Sequence, residues 1–269
     1  MDQGNTAFVL ISAALVLLMT PGLAFFYGGM VKAKSVVSMM MLSFGSLGLI
    51  AVLWVLYGYA ISFSNAGTST FFGIDGWFGI DTSFLGLTAQ VADAADPAGA
   101  FPSMAFVAFQ ATFAIITVAL ISGAIADRAK FGAWMVFAGV WATVVYFPVA
   151  NWVFNFTLED GKVVDGGWIV YGLGVIDFAG GTAVHINAGA AGLALAIVLG
   201  KRFGFSKGIT QPHNVPLTLL GVALLWFGWF GFNAGSAVGA NGLAAQALGT
   251  TTVAAAAAAM AWVFLDKIL

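Results

Sequence analysis

The sequence predicts an all-α polytopic membrane protein with seven transmembrane helices and its N-terminus outside. Three observations predict it. Hydrophobic residues make up 61% of the 269 and charged residues only 7%, whereas a soluble domain carries roughly a quarter charged residues. Apolar runs long enough to cross the hydrocarbon core recur at about 8–29, 37–63, 103–125, 131–154, 168–199, 215–236 and 241–265. The charges between these runs separate by sign. The same composition narrows the chemistry: there is no basic stripe for nucleic acid, and with no cysteines disulfides, thiol catalysis and thiolate metal sites are excluded. No cofactor or metal site is read from the sequence.

The opening Met1-Asp2-Gln3-Gly4-Asn5-Thr6 lacks the basic n-region of a signal peptide, so the first run is expected to be a true span. Pro21 lies inside it and is expected to kink the helix; Phe25-Phe26-Tyr27-Gly28-Gly29 follows. A simple packing kink accounts for the proline equally well. Between the second and third spans, 64–102 is rich in Gly, Asp and Ser and belongs on the outer face, where the alternating 68–84 stretch could form short structure. The third span opens on Ala108-Phe109-Gln110-Ala111-Thr112-Phe113-Ala114. Phe109 and Phe113 are four apart and share a helix face, a spacing more usual for core packing than for a pore.

The fifth run is long enough to be tilted or broken, and the break is expected at Asp177-Phe178-Ala179-Gly180-Gly181. The sixth carries Trp226-Phe227-Gly228-Trp229-Phe230-Gly231-Phe232-Asn233-Ala234-Gly235-Ser236. Interleaved glycines there are expected to let rings pack edgewise against a neighbouring backbone, although Trp also serves as an interfacial belt residue. The Ala254–Ala259 run reads as close-packed span. Lys32, Lys34, Arg128, Lys130, Lys201, Arg202, Lys207 and Lys267 follow spans one, three, five and seven, and Lys162 alone departs. Asp2, Asp75, Asp81, Asp93, Asp96, Glu159, Asp160 and Asp165 lie on the other side. The basic excess sets the orientation and places the end of span seven in the cytoplasm.

Asp177 and His185 are the ionisable groups of greatest interest, because charge at membrane depth is costly and marks function by default. Eight residues of helix would separate them by about 12 Å on roughly one face. Small residues surround them through Gly192, which permits close backbone approach. Each has a plain alternative. His185 could be a satisfied packing histidine, and Asp177 could cap the freed N–H groups of Gly180 and Gly181. His213, in Gln211-Pro212-His213-Asn214, suits a loop or helix start.

Four stretches then carry a family resemblance: Phe26-Tyr27-Gly28-Gly29, Ala108-Phe109-Gln110, the Asp177–Gly192 block, and Gly228–Ser236. With them the chain resembles the N-terminal portion of an ammonium transporter of the Amt/Mep/Rh family. The resemblance implies an eleven-helix inverted-repeat fold, forming a homotrimer in the cell membrane with one pore per subunit. It divides the single transmembrane domain 1–269 into a first five-helix repeat at about 1–200 and two helices of the second at about 201–269. The remaining spans and the partner histidine fall outside the sequence, so the chain alone is expected to transport poorly.

The resemblance also implies roles. Phe109, Phe113, Phe154, Asp177 and Ser236 would form the outer vestibule, Ser236 accepting a hydrogen bond from ammonium. Phe113 and Phe232 would be the stacked gate, and His185 and Trp229 would line the pore. Phe154 stands where the family commonly has tryptophan, with Trp152 two residues off, which weakens the vestibule's cation–π contact. Ammonium would be recruited near Phe113, Phe154 and Ser236 and lose its proton before or at the gate. Desolvating the bare ion is prohibitive, and neutral imidazole can hold ammonia or relay the proton. Methylammonium is a further substrate candidate, and a cytoplasmic signal protein is the regulator the family suggests. Two other classes compete. A retinal protein needs a mid-membrane lysine in its last span, but Lys267 lies at the end. An intramembrane serine protease would pair Ser236 with His185, yet Ala234-Gly235-Ser236-Ala237-Val238 has no nucleophile elbow. The chain is therefore not expected to be an enzyme.

Overall fold

The computed structural model describes the chain except residues 1, 65–69, 72–73, 76–78, 93–100, 160–161, 203 and 208–210. Seven helices are long and apolar enough to cross a membrane: α1 Gln3–Met30, α2 Ala33–Phe63, α3 Ser103–Ile125, α4 Phe131–Phe154, α5 Gly181–Leu199, α6 Val215–Gly235 and α7 Gly242–Ile268. The protein is a multi-pass membrane protein. Two small antiparallel hairpins, β1 Thr70–Phe71 with β2 Ile74–Asp75 and β3 Phe156–Glu159 with β4 Lys162–Gly166, lie in the connections after α2 and α4. The first falls within the 68–84 stretch, whose alternation left short structure open. The acids at 93, 96 and 160 lie outside the described residues, as does the side chain of Lys207.

Helix starts follow from their capping residues. The Asp2 carboxylate accepts from Asn5 N at 2.7 Å, Asn214 Oδ1 from Leu217 N at 3.0 Å and Asn241 Oδ1 from Ala244 N at 3.0 Å. Each satisfies an N–H that the first helical turn leaves orphaned. Helix α1 passes through Pro21 without interruption.

Helix α3 sits centrally, packed against α1, α2 and α5, and most of its side chains are buried. On one side of it, Trp54, Trp134, Tyr146 and Phe147 join α2 and α4 in a core. On the other, Val9, Val16, Phe113, Ile116, Val184 and Phe232 join α1, α3, α5 and α6. The most extensive helix contact is between α1 and α6, and glycine makes it possible. A Cβ at Gly231 would stand 2.6 Å from Leu15 Cβ, and one at Gly235 would stand 2.6 Å from Ser12 Cβ. The interleaved glycines of α6 thus receive the backbone of α1. The rings between them, expected to pack edgewise against a neighbouring backbone, include Trp229 and Phe232, which lie against the His185 ring.

The break before α5 is longer than the sequence suggests. One π-helical turn, Trp168–Gly172, is followed by eight non-helical residues before α5 begins at Gly181. Gly174 and Gly180 take positive φ of 66° and 84°, a conformation glycine adopts without a Cβ penalty. Helix α7 packs chiefly on α6. Its outer residues, such as Val253, Met260 and Trp262, are exposed.

The two ends of the bundle are tied separately. At one end Asn5 Oδ1 accepts from Ala240 N at 2.8 Å, and Asn155 Nδ2 donates to Ser64 O at 2.6 Å. At the other, Arg128 donates to Gly200 O at 2.6 Å, and His213 Nδ1 lies 2.8 Å from Val31 O. Connections after odd-numbered helices therefore gather at the second end with the basic residues.

Candidate functional site

The site grows out of the broken lead into α5. Asp177 lies in the non-helical segment and folds its carboxylate onto the exposed N–H groups of the helix start. Oδ1 accepts from Gly181 N at 2.7 Å, and Oδ2 accepts from Thr182 N at 2.8 Å and Ala183 N at 3.0 Å. The cap was expected at Gly180 and Gly181; it falls on 181–183, because Gly180 itself is the left-handed residue that turns the chain. The expectation that Asp177 and His185 share one helix face also fails, since only His185 is helical. A bidentate cap of this kind supports the positive end of the helix.

Gly180 then fixes the histidine. Its carbonyl accepts from Val184 N and His185 N, both at 3.0 Å, and lies 3.1 Å from His185 Nδ1. A carbonyl can only accept, so this contact is a hydrogen bond with the proton on Nδ1. That tautomer leaves Nε2 as the ring's acceptor. The shared carbonyl belongs to the π-helical turn Gly181–Ile186, a distortion often found at functional positions.

Around His185 the rings assemble from three further helices. Phe113 of α3 and Phe232 of α6 are stacked, with centroids 4.3 Å apart and planes 14° from parallel. Both are buried. Phe109 meets Phe113 edge-on at 4.9 Å, and Phe154 at the end of α4 meets it at 6.2 Å and 87°. On the far side of the stack, His185 lies 5.8 Å from Phe232 and 5.5 Å from Trp229. A cavity of about 380 Å³ joins Asp177, Thr182, His185, Phe232 and Asn233, and His185 is exposed to it.

Ser236 closes α6 one turn beyond Phe232. Its hydroxyl donates to Phe232 O at 2.7 Å, which leaves the oxygen lone pairs to accept from a ligand. Ser236 and His185 thus spend their hydrogen bonds on different backbone carbonyls, and no contact between them is seen. Trp152 pairs with Trp168 at 5.7 Å, so it does not substitute for Phe154 beside Phe113. Sequence reasoning missed Asn233, whose amide donates to Thr251 Oγ1 of α7 at 2.9 Å and which borders the cavity. Its place between Phe232 and Ser236, on a face otherwise apolar, was the available signal. It also missed the anchoring carbonyl of Gly180, which the Gly180-Gly181 doublet foreshadows.

Fold and site together define a multi-pass membrane protein in which a stacked aromatic pair lies beside a membrane histidine whose helix start is capped by a carboxylate. The chain belongs to the ammonium transporter family: the sequence profile described as Ammonium Transporter Family matches residues 7–269. It is 57% identical to the ammonium transporter of Mycobacterium bovis over 99% of this chain and 57% of that protein. It is 46% identical to the Bacillus subtilis ammonium transporter over 100% of this chain and 61% of that one. The crystal structure of Saccharomyces cerevisiae Mep2 superposes with a TM-score of 0.84 at 32% identity, covering 100% of this chain and 58% of that one. A sensor Amt protein superposes at 0.82, with 28% identity over 98% of this chain and 62% of the other. The chain thus spans a little under two thirds of the length of these relatives.

Proposed function

We propose that the chain forms the N-terminal portion of a membrane protein that moves ammonium or ammonia across the bilayer. The observation that carries this reading is the stacked Phe113–Phe232 pair with His185 directly behind it. Two rings 4.3 Å apart admit no hydrated ion between them, so passage requires ring movement and loss of water. Carrying the bare charge through an apolar constriction costs far more than moving neutral ammonia. Ammonium is recruited at Phe113, Phe154, Phe109 and Ser236, where ring faces and a hydroxyl acceptor attract a cation. Asp177 supports this entrance through the helix start it caps. Ammonia then passes His185 and Trp229; the Nε2 acceptor of His185 receives an N–H from it.

The N-terminus lies outside, as the segregation of basic residues supports, and the protein resides in the plasma membrane. We assign residues 1–200 to a first five-helix repeat and 201–269 to two helices of a second within an eleven-helix fold. The assembly is a homotrimer, with a cytoplasmic signal protein as regulator and methylammonium as a further substrate. The family resemblance supports these assignments.

The test is growth rescue of an ammonium-uptake-deficient strain. The chain is expressed alone and together with the C-terminal portion of the Mycobacterium bovis transporter that it does not match. Rescue is expected only with both pieces, and His185→Ala is expected to abolish ammonium-dependent uptake. Full rescue by the paired His185→Ala variant would refute a role for the imidazole.

A further inference from the structure

Away from the aromatic site, at the end where the basic residues gather, a second cavity of about 380 Å³ lies between the connections after α1, α3 and α5. Its base is apolar and buried: Met39 and Leu42 of α2 with Ile125 of α3. Its mouth carries Lys32, Lys34 and Arg202, with the Ser35 and Ser38 hydroxyls between them. Among the described residues, none of the three cations makes a side-chain hydrogen bond or ion pair. Asp127, the single carboxylate lining the cavity, leaves a net positive charge.

The walls are held in place. Arg128 ties the α3 connection to Gly200 O, two residues before Arg202. Asn214 N donates to Gly29 O at 3.2 Å, and His213 Nδ1 meets Val31 O at 2.8 Å, which fixes the chain next to Lys32. Three connections remote in sequence therefore meet at one pocket, those after α1 and α5 bringing its cations and the one after α3 bringing Asp127, and none of them lies in the ring cluster.

We propose that this cavity binds the phosphate group of an anionic phospholipid headgroup. Three cations around a small polar space match a phosphate in charge and donor capacity. The apolar base at the ends of two membrane helices favours a lipid over a free anion, since the glycerol and first methylenes can rest on Met39, Leu42 and Ile125. Basic pockets at this depth are where headgroup recognition is expected. Asp127 opposes a doubly charged anion and so favours the singly charged phosphodiester of phosphatidylglycerol.

The test is native mass spectrometry of the purified chain in detergent, titrated separately with phosphatidylglycerol, phosphatidylcholine and inorganic phosphate. Phosphatidylglycerol is expected to bind preferentially, and the Lys34→Gln/Arg202→Gln variant to bind it about tenfold more weakly or worse. Lys267→Gln, a cation at the end of α7 that does not line the cavity, is expected to bind as the parent does. Asp127→Asn guards against a folding defect in the double variant. Residue 127 has a φ of 61°, which Asn tolerates, and losing the carboxylate is expected to tighten phosphatidylglycerol severalfold. Inorganic phosphate binding with the same variant dependence, without a lipid preference, keeps the phosphate site and assigns it to a soluble source. Equal binding of the two lipids without phosphate binding, no loss in the double variant, equal loss in Lys267→Gln, or no gain in Asp127→Asn each overturns the proposal.

Discussion

Single atoms carry much of the chemistry at the aromatic site. The Ser236 oxygen gives its proton to Phe232 O and keeps its lone pairs. Ser236→Ala is expected to raise the half-saturating ammonium concentration about fivefold in an uptake assay, the worth of one hydrogen bond of about 1 kcal/mol. Phe154 already stands edge-on to Phe113 at 6.2 Å. Phe154→Trp enlarges the ring face offered to a cation and is expected to lower half-saturation two- to fivefold, about 0.5–1 kcal/mol of cation–π energy. A variant that lowers the maximal rate while leaving half-saturation unchanged would instead place Phe154 in the gate. His185 stood out as an ionisable group at membrane depth, whereas the pairing of Phe113 with Phe232 was legible only through the family resemblance. Spacing alone puts Phe109 and Phe113 on one face, but says nothing about which ring on α6 they meet. The Gly180–His185 contact was out of reach, because a left-handed glycine is invisible until the chain direction is known.

At the scale of the element, the start of α5 is a helix held open on one side and closed by a carboxylate on the other. Asp177→Ala removes three charge-assisted acceptor contacts. It is expected to cost about 2 kcal/mol, read as a lowered melting temperature in detergent, and to reduce uptake because His185 follows within the same turn. Asp177→Asn keeps part of the cap and is expected to fall between the two. The seam of α1 and α6 gives a second test. Gly231→Leu places side-chain atoms where Leu15 Cβ would already be 2.6 Å from the first carbon. Such overpacking is expected to cost about 1–3 kcal/mol or to prevent assembly. The position of the break before α5 could be read from Asp177-Phe178-Ala179-Gly180-Gly181. Its length could not, because Leu173, Val175 and Ile176 are apolar and read as span, although the chain there is non-helical and exposed.

Across the whole molecule, hydropathy located all seven helices because each must satisfy its backbone within the bilayer. Order along the chain is not order in space. The first helix ends up beside the sixth, and α3 stands between two cores. Nothing in the run lengths implied that pairing; the glycines of α6 hinted at a close neighbour without naming it. Exposed apolar side chains along α5 and α7, including Ile197, Val198, Met260 and Trp262, leave one flank of the bundle uncovered. Expressed alone, the chain is expected to self-associate in detergent more than when paired with the C-terminal portion of a relative, as size-exclusion chromatography would report. Equal elution in both cases would mean that lipid suffices to cover that flank.

The marriage of α1 to α6 also sets a clock. Helix α1 leaves the ribosome well before α6, so its largest partner surface is made some two hundred residues later. At about 5–20 residues per second, that is a wait of roughly ten to forty seconds. During it, the α1 surface around Ser12 and Leu15, which the α6 glycines later cover, faces lipid or whatever insertion machinery shelters it. Cotranslational crosslinking from position 12 should therefore report chaperone or translocon contacts that vanish once Gly235 has entered the membrane.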